Sequence, residues 1–123
     1  MRSLRPSLSS LLCVLGMALS GAAFGYGALA IDHNHGEAYG ASYNHENQRR
    51  ADRAALSECG HDCTVVVRYN TGCAAYAADQ TRGSTVYGWA PGSTEQQAKR
   101  KAMRNCTSYG GHNCLIRVWS CEG

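Results

Sequence analysis

The arrangement of the cysteines is the feature that most limits how this chain can fold. One of the seven, Cys13, lies in an apolar N-terminal stretch, and an even number remains in the part that follows. An even set of cysteines in a short exported chain indicates disulfides rather than free thiols, so we predict three bridges. The six cysteines are Cys59, Cys63, Cys73, Cys106, Cys114 and Cys121.

Cross-links matter here because the apolar content is low. From Tyr26 onward the chain has only 11 residues of the Leu, Ile, Val, Phe and Met type, whereas Gly and Ala are abundant. A domain of this size buries a small share of its surface, and disulfides supply the stability that a thin core lacks. We therefore predict a single stapled domain over residues 26–123 rather than a disordered or multidomain chain.

The first 25 residues have the pattern of a secretory signal peptide. Two arginines precede an apolar stretch from Leu11 to Leu19, and small residues follow it. Cleavage after Ala22 fits as well as cleavage after Gly25. The apolar stretch is too short to span a bilayer and no second one follows, so we predict a periplasmic or secreted chain without a membrane span. Lipid attachment at Cys13 and an uncleaved anchor are the alternatives.

Loss of this segment also changes the charge. The chain has 12 Lys and Arg residues and 9 Asp and Glu residues, and cleavage removes two arginines, which leaves a net charge of +1. A nearly neutral domain has no general attraction for nucleic acid or for anionic membranes. We therefore expect neither as a partner. The sequence does not set the oligomeric state.

An internal repeat organises the rest of the chain, with repeat one at 26–70 and repeat two at 71–123. Between Ala51 and Cys59 the second copy follows at a constant offset of 47 residues, and the offset grows to 51 at Cys63. The matching features are Ala28–Asp32 and Ala75–Asp79, Tyr39-Gly40 and Tyr87-Gly88, Ala51 and Ala98, Ala55 and Ala102, Cys59 and Cys106, and Cys63 and Cys114.

Each copy has the pattern strand, strand, helix, strand. We predict an α+β fold in which two ββαβ repeats form a mainly antiparallel sheet with two helices on one face, held by three disulfides. A sheet shared by both copies and two small sheets both stay open. The third strands, 64–69 and 115–119, carry most of the aliphatic residues, so we expect them at the centre of the sheet.

Both predicted helices present alanine to the sheet. In repeat one, Ala51, Ala55 and Cys59 follow one another at a spacing of four residues, and repeat two has the same stripe. Helices with such small side chains must lie close to the sheet, because only a close approach recovers the contacts that bulky side chains supply elsewhere.

The repeat also predicts how the cysteines pair. Cys59 and Cys63 lie at a helix end and the next strand start, and Cys106 and Cys114 occupy the same places in the second copy. Six cysteines allow fifteen pairings, and the one that respects the repeat joins these two pairs. Cys73 then pairs with Cys121, a link that favours a sheet shared by both copies.

These segments resemble an exported bacterial family, domain of unknown function 4189. The resemblance covers almost all of residues 26–123 and implies a bacterial exported protein, with no activity, substrate or catalytic residue to carry over. The histidine-rich turn 33–35 departs from the family pattern. The motifs that carry the resemblance are Gly27-Ala28-Leu29-Ala30, Tyr39-Gly40-Ala41-Ser42, the helix Ala51 to Cys59, Cys63 to Val67, and Tyr87-Gly88-Trp89.

Aromatic residues and arginines on the predicted strands indicate a recognition surface. Tyr39 and Tyr87 are expected in the core as a repeat-related pair. Tyr, Trp and Arg are the residues that anchor protein interfaces, so others of this set point to a non-enzymatic binding module. Its partner is expected to be a protein of the cell envelope or outside the cell, for example a toxin or hydrolase that it inhibits in the periplasm. The candidate binding residues are Tyr43, Arg68, Trp89, Arg117 and Trp119.

Two other functions have weaker support. His33 and His35, with Asp32 and His45 nearby, form a hairpin that could hold Zn or Cu, although a solvated turn explains it as well. An unrecognised secreted hydrolase lacks any motif for a nucleophile, a base or paired carboxylates, so we predict no enzyme, no catalytic residue, no cofactor and no metal ligand.

The two predicted helices also carry most of the positive charge. If they lie on one face of the sheet, their basic residues form a positive stripe for an acidic protein, an anionic envelope polymer or, as the least favoured of the three, a nucleic acid. A solvated helix surface is the simpler interpretation. These residues are Arg49, Arg50, Arg53, Lys99, Arg100, Lys101 and Arg104.

Overall fold

The computed structural model describes residues 25–32 and 37–123. The predicted signal peptide, apart from Gly25, and the His33 and His35 turn lie outside these residues. The elements in chain order are β1 Tyr26–Asp32, β2 Tyr39–His45, α1 Gln48–Cys59, β3 Cys63–Tyr69, β4 Gly72–Asp79, β5 Tyr87–Gly92, α2 Glu95–Ser108 and β6 Cys114–Glu122. The α+β class and the repeated ββαβ order are therefore confirmed.

The strands form two antiparallel three-stranded sheets, one from each repeat. The orders are β2-β1-β3 and β5-β4-β6. Each sheet packs one face against its own helix and the other face against the other sheet, which gives four layers from α1 through the two sheets to α2. Two sheets with one helix each thus replace the expected arrangement of one sheet with both helices on one face.

The alternation of side chains along the central strands explains this arrangement. In β1, Ala28 and Ala30 face α1, whereas Leu29 and Ile31 face the other sheet. The same pattern holds in β4, where Tyr76 points between the sheets and is fully buried. A single open sheet would leave this second apolar face in water, and stacking the two sheets buries both copies of it.

The prediction that the third strands are central was wrong. The first strand of each repeat, β1 or β4, occupies the centre, and the more aliphatic β3 and β6 lie at the edges. A central strand with a helix on one face and a sheet on the other has room for small side chains on the helix side. Alanine content, rather than aliphatic content, therefore marked the central strands.

Close contact between helix and strand depends on two glycines. A Cβ added at Gly40 would overlap the Ala55 carbonyl oxygen, and one added at Gly88 would overlap the Cys106 backbone nitrogen. Both glycines are buried. The predicted close approach of the alanine-faced helices is confirmed, and the Tyr-Gly pair of each repeat is the point at which the helix backbone meets the strand.

All three predicted disulfides are present. Cys59 pairs with Cys63, and Cys106 with Cys114, so that each bridge links the end of a helix to the start of the next strand. The third bridge joins Cys73 and Cys121, which face each other across β4 and β6. Because both of these cysteines belong to repeat two, the bridge requires no sheet shared between the copies.

The third bridge is expected to contribute most to stability. Its cysteines are separated by 48 residues, whereas Cys59 and Cys63 are separated by 4. On the chain-entropy account, removing the long-range bridge (Cys73→Ala with Cys121→Ala) lowers the free energy of unfolding by about 4 kcal/mol, and removing the short one (Cys59→Ala with Cys63→Ala) by about 2 kcal/mol. Urea unfolding followed by circular dichroism measures both, and equal losses would contradict this account.

The glycine contacts give a second test. Gly40→Ala and Gly88→Ala are each expected to lower the free energy of unfolding by about 1–3 kcal/mol, since the added methyl group must push a helix away from its strand. In a chain that begins at Ala23 and so retains Gly25, Gly25→Ala is the matched control, because its added Cβ would meet only the Asn70 carbonyl oxygen, at 3.7 Å. If Gly25→Ala lowered the free energy of unfolding as much as Gly40→Ala and Gly88→Ala do, the close contact between helix and strand would not be the cause of the loss.

Candidate binding sites

Two of the predicted binding residues lie together where the sheets meet at one edge. Tyr43 of β2 and Trp119 of β6 line a hollow of about 340 Å³, together with Ser120 and Cys121. Tyr43 is 61% exposed and Trp119 is 43% exposed. We call this site the Tyr43–Trp119 hollow. Each sheet contributes one of its aromatic residues, so the site exists only when the two repeats are packed together.

The strands around the hollow are tied to each other by a hydrogen bond. The Asn44 backbone N–H donates to Glu122 Oε2 at 2.5 Å, which links β2 to β6. Glu122 is buried, and the nearby Tyr69 hydroxyl donates to the Ser42 carbonyl oxygen at 2.9 Å. Burial raises the pKa of Tyr69, so this hydroxyl stays protonated at neutral pH. Of these two buried polar contacts, the bond between Asn44 and Glu122 joins the two sheets, and the bond between Tyr69 and Ser42 lies within the first sheet.

A lysine lies over the Trp119 ring. Lys99 Nζ is 4.7 Å from the ring centroid and 2.6 Å from Glu95 Oε2. A cation over an indole face is attracted by the ring quadrupole. The ion pair with Glu95 and the contact with the ring therefore both restrain Lys99. Trp119, in turn, is more restrained than a surface side chain without such contacts.

Trp89 lies in a different place. It lines a hollow of about 340 Å³ between β5 and α2 and an adjoining one of about 420 Å³ at the start of β5. Tyr109 lines both and is 71% exposed. We call the two hollows together the Trp89–Tyr109 groove. Its remaining lining residues are Thr85, Val86, Tyr87, Ala90, Pro91, Lys101, Arg104 and Asn105.

Tyr109 was missed because the sequence analysis considered only aromatic residues on strands. It lies just after α2, in the loop between Cys106 and Cys114. This loop is the place at which the offset between the repeats changes, so an aromatic residue inside the insertion was the available signal.

The two arginines of the candidate set occupy separate surroundings. Arg68 Nε donates to Asp52 Oδ2 at 2.8 Å. Arg117 donates to Gln80 Oε1 at 2.5 Å, and its guanidinium carbon is 5.9 Å from the Tyr39 ring centroid. The structure therefore brings Tyr43 and Trp119 together and places Trp89, Arg68 and Arg117 elsewhere.

Tyrosine rings fill the space between the sheets near Arg117. The Tyr76 ring centroid is 5.3 Å from that of Tyr39 and 5.9 Å from that of Tyr87. Burial is the main cause that raises the pKa of the Tyr76 phenol, and the neighbouring Tyr87 raises this pKa further. Tyr39 and Tyr87 thus flank the buried Tyr76 as partly buried members of the inter-sheet core.

Arg117 also borders a polar hollow of about 250 Å³ that contains Asp79. Asp79 Oδ1 accepts hydrogen bonds from the backbone N–H groups of Thr81 and Asn113, at 3.2 and 3.0 Å. The Ser84 hydroxyl, together with Thr81 and Asn113, holds the pKa of Asp79 well below its ordinary value. Asp79 therefore acts here as an anion that holds two loops together.

Residues 25–32 and 37–123 contain no cluster of three or more His, Cys, Asp and Glu side chains suited to a metal ion. Neither α1 nor α2 is long and apolar enough to cross a membrane. The helices lie on opposite outer faces, so the single positive stripe that the sequence suggested does not form.

Comparison with known families gives a match over most of the chain. A family model described as Domain of unknown function (DUF4189) matches residues 26–121. The chain belongs to this family. No curated protein and no solved structure matched the sequence. The DUF4189 assignment confirms the resemblance noted in the sequence and carries no activity with it.

The Asp79 anchor predicts a pH dependence. An unfolded aspartate titrates near pH 4. Since the pKa is lowered in the folded DUF4189 domain, the stabilisation from Asp79 is fully present above about pH 4 and is lost as the pH falls further. Asp79→Asn is therefore expected to be less stable than the wild type at pH 7, and the difference should shrink toward pH 2.

Urea unfolding at pH 7, 4 and 2 measures this difference. Asp62→Asn is the matched control, because Asp62 is an exposed loop carboxylate outside the Asp79 network. A stability difference between wild type and Asp79→Asn that stays constant over the whole pH range would show that the carboxylate charge is not what holds the loops.

Proposed function

We propose that this DUF4189 domain is an exported, non-enzymatic binding module that recognises another protein in the cell envelope or outside the cell. The observation that carries the proposal is the Tyr43–Trp119 hollow. A periplasmic inhibitor or immunity protein, acting against a toxin or a hydrolase, is the concrete form that we favour.

The chemistry of the hollow supports recognition of a protein. Tyr and Trp provide a large contact area with few rotatable bonds, so little conformational entropy is lost when they are covered. Both rings are more exposed than a core role requires, since the inter-sheet core is filled by other side chains. A hollow with two aromatic sides and a nearby cation is a suitable anchor pocket for a partner side chain.

The support under the hollow also favours binding over catalysis. Tyr43 and Trp119 are on strands, and the bridge from Cys73 to Cys121 fixes β6 to β4 beside the site. A rigid surface binds without paying for loop ordering. All six cysteines that follow the N-terminal segment are in disulfides, so the proposal gives them a structural role and assigns no thiol nucleophile.

Export is part of the proposal and rests on two independent features. Three disulfides are typical of proteins in an oxidising compartment. The sequence before residue 26 has the charged, apolar and small-residue regions of a signal peptide. A protein that meets secreted toxins or hydrolases would occupy the same compartment.

Substitution within the hollow tests the proposal. Immobilised wild-type protein is used to capture partners from periplasmic and secreted fractions, and the dissociation constant of each captured protein is then measured. Tyr43→Ala and Trp119→Ala are each expected to weaken binding about tenfold or more, as anchors at the centre of an interface do.

Leu115→Ala is the matched control. Leu115 is 52% exposed on the same strand as Trp119 but lines none of the hollows described above, so its loss should leave binding unchanged. If the variant that combines Tyr43→Ala with Trp119→Ala bound the captured partner as tightly as the wild type does, the hollow would have no role in recognition.

A further inference from the structure

The Trp89–Tyr109 groove combines positive charge with apolar surface, and it is separate from the Tyr43–Trp119 hollow. Lys101 and Arg104 lie one turn apart on α2 and are both exposed. No Asp or Glu side chain is among the described residues that line the groove. The groove is therefore cationic along its helix side, in a domain whose overall charge is close to neutral.

Comparison of the two repeats shows that these residues are particular to repeat two. In the sheet register, Trp89 pairs with Tyr76 as Ala41 pairs with Leu29, so Ala41 is the equivalent of Trp89. On the helices, the offset of 47 residues places Ala54 and Ser57 at the positions of Lys101 and Arg104. Repeat one thus has small, uncharged residues where repeat two has two exposed cations and an indole that packs partly against the inter-sheet core.

Tyr109 is a further departure from the repeat. The disulfide cysteines at this corner are 8 residues apart in repeat two and 4 apart in repeat one. Tyr109 lies in the added segment and has no counterpart in repeat one. Its exposed ring makes no contribution to the buried core. Tyr109, Lys101 and Arg104 are therefore exposed groups of repeat two that have no aromatic or cationic equivalent in repeat one.

The outer edge of β5 is closed to a pairing strand. Asn105 Nδ2 donates to the Trp89 carbonyl oxygen at 2.9 Å, and Pro91 has no backbone N–H to offer. An extended ligand therefore cannot add to the sheet here by backbone hydrogen bonds along the whole strand. Recognition in the groove must come from side chains.

We propose that the Trp89–Tyr109 groove is a second binding site, which takes an acidic protein segment with apolar side chains. Residues three apart on a helix have Cβ atoms about 5–6 Å apart, so Lys101 and Arg104 match two neighbouring carboxylates. Tyr109, Trp89 and Pro91 provide apolar surface for an aromatic or aliphatic side chain beside them.

The same lining argues against an anionic polysaccharide. A hydroxyl-rich polymer needs many hydrogen-bond partners, since each buried hydroxyl without one is costly. Among the described residues that line the groove between β5 and α2, Asn105 is the one neutral amide, and its Nδ2 already bonds Trp89, so the hydrogen-bonding side chains left to a ligand are chiefly Lys101, Arg104 and Tyr109. Apolar surface next to paired cations suits a peptide with alternating acidic and apolar residues.

Calorimetric titration with a defined peptide tests the proposal. The probe is the synthetic peptide Gly-Asp-Glu-Phe-Glu-Asp-Leu-Gly, and its amide counterpart is Gly-Asn-Gln-Phe-Gln-Asn-Leu-Gly. The acidic peptide is expected to bind the full exported chain with a dissociation constant between about 1 μM and 1 mM, and the amide peptide at least tenfold more weakly.

Variants of the groove use the residues of repeat one. Lys101→Ala combined with Arg104→Ser introduces the two residues that repeat one has at these helix positions, Ala54 and Ser57. This double variant should weaken binding of the acidic peptide at least tenfold. Tyr109→Ala should weaken it several-fold. Arg49→Ala combined with Arg53→Ser is the matched control, because it removes two exposed cations from α1 on the opposite face and should leave the affinity unchanged.

Several results would overturn the proposal. These are no heat of binding for the acidic peptide up to about 1 mM, equal binding of the amide peptide, or an equal loss in the α1 control. Displacement of the peptide by polygalacturonate, with tighter binding of that polymer, would assign the groove to a polysaccharide instead. Unchanged peptide binding by Tyr43→Ala with Trp119→Ala is expected, and it separates this site from the proposed hollow.

Discussion

Two glycines set the distance between each helix and its sheet. Gly40 and Gly88 lie directly against the helix backbones, at the carbonyl of Ala55 and the amide of Cys106. This contact lets alanine side chains fill the space between helix and strand, where a larger spacing would require bulky residues. The low aliphatic content of the chain is compatible with a packed fold because the layers are thin. The burial of the alanine faces of β1 and β4 follows from that spacing, whereas the stacking of the two sheets follows from the apolar faces on their other sides.

In both repeats a helix side chain bonds to the outer edge of a strand, β2 in repeat one and β5 in repeat two. Glu58 Oε1 accepts a hydrogen bond from the Ala41 backbone N–H, and Asn105, its repeat equivalent, donates to the Trp89 carbonyl oxygen. A side chain at the end of each helix thus occupies the outer edge of the neighbouring strand. Exposed strand edges favour aggregation, so such caps have value in a small sheet. Because the cap is placed by the helix, it depends on the same close contact at the glycines.

Differences between the copies, rather than the repeat itself, mark the candidate sites. The hollow forms where β2 of one repeat approaches β6 of the other, and its two aromatic residues occupy non-equivalent positions. The groove forms where repeat two has Trp89, two cations and Tyr109, none of which has an aromatic or cationic equivalent in repeat one. In a duplicated scaffold, residues that packing needs are shared by the two copies, and the remaining positions can differ between them. Both sites are therefore most clearly seen by comparing the two halves of the molecule.

The α+β class, the two copies, the close alanine-faced helices and two of the disulfide pairs could be predicted from local spacing along the chain. The Cys73–Cys121 pair, whose cysteines are 48 residues apart, followed because it was the pair that remained. The stacking of the copies as two sheets, the central place of the alanine strands, and the contacts of Tyr43 with Trp119 and of Trp89 with Tyr109 could be seen only in the folded chain. Those outcomes depend on which faces of separate elements bury each other, and residues distant in the chain are brought together only when the apolar faces of the two sheets exclude water.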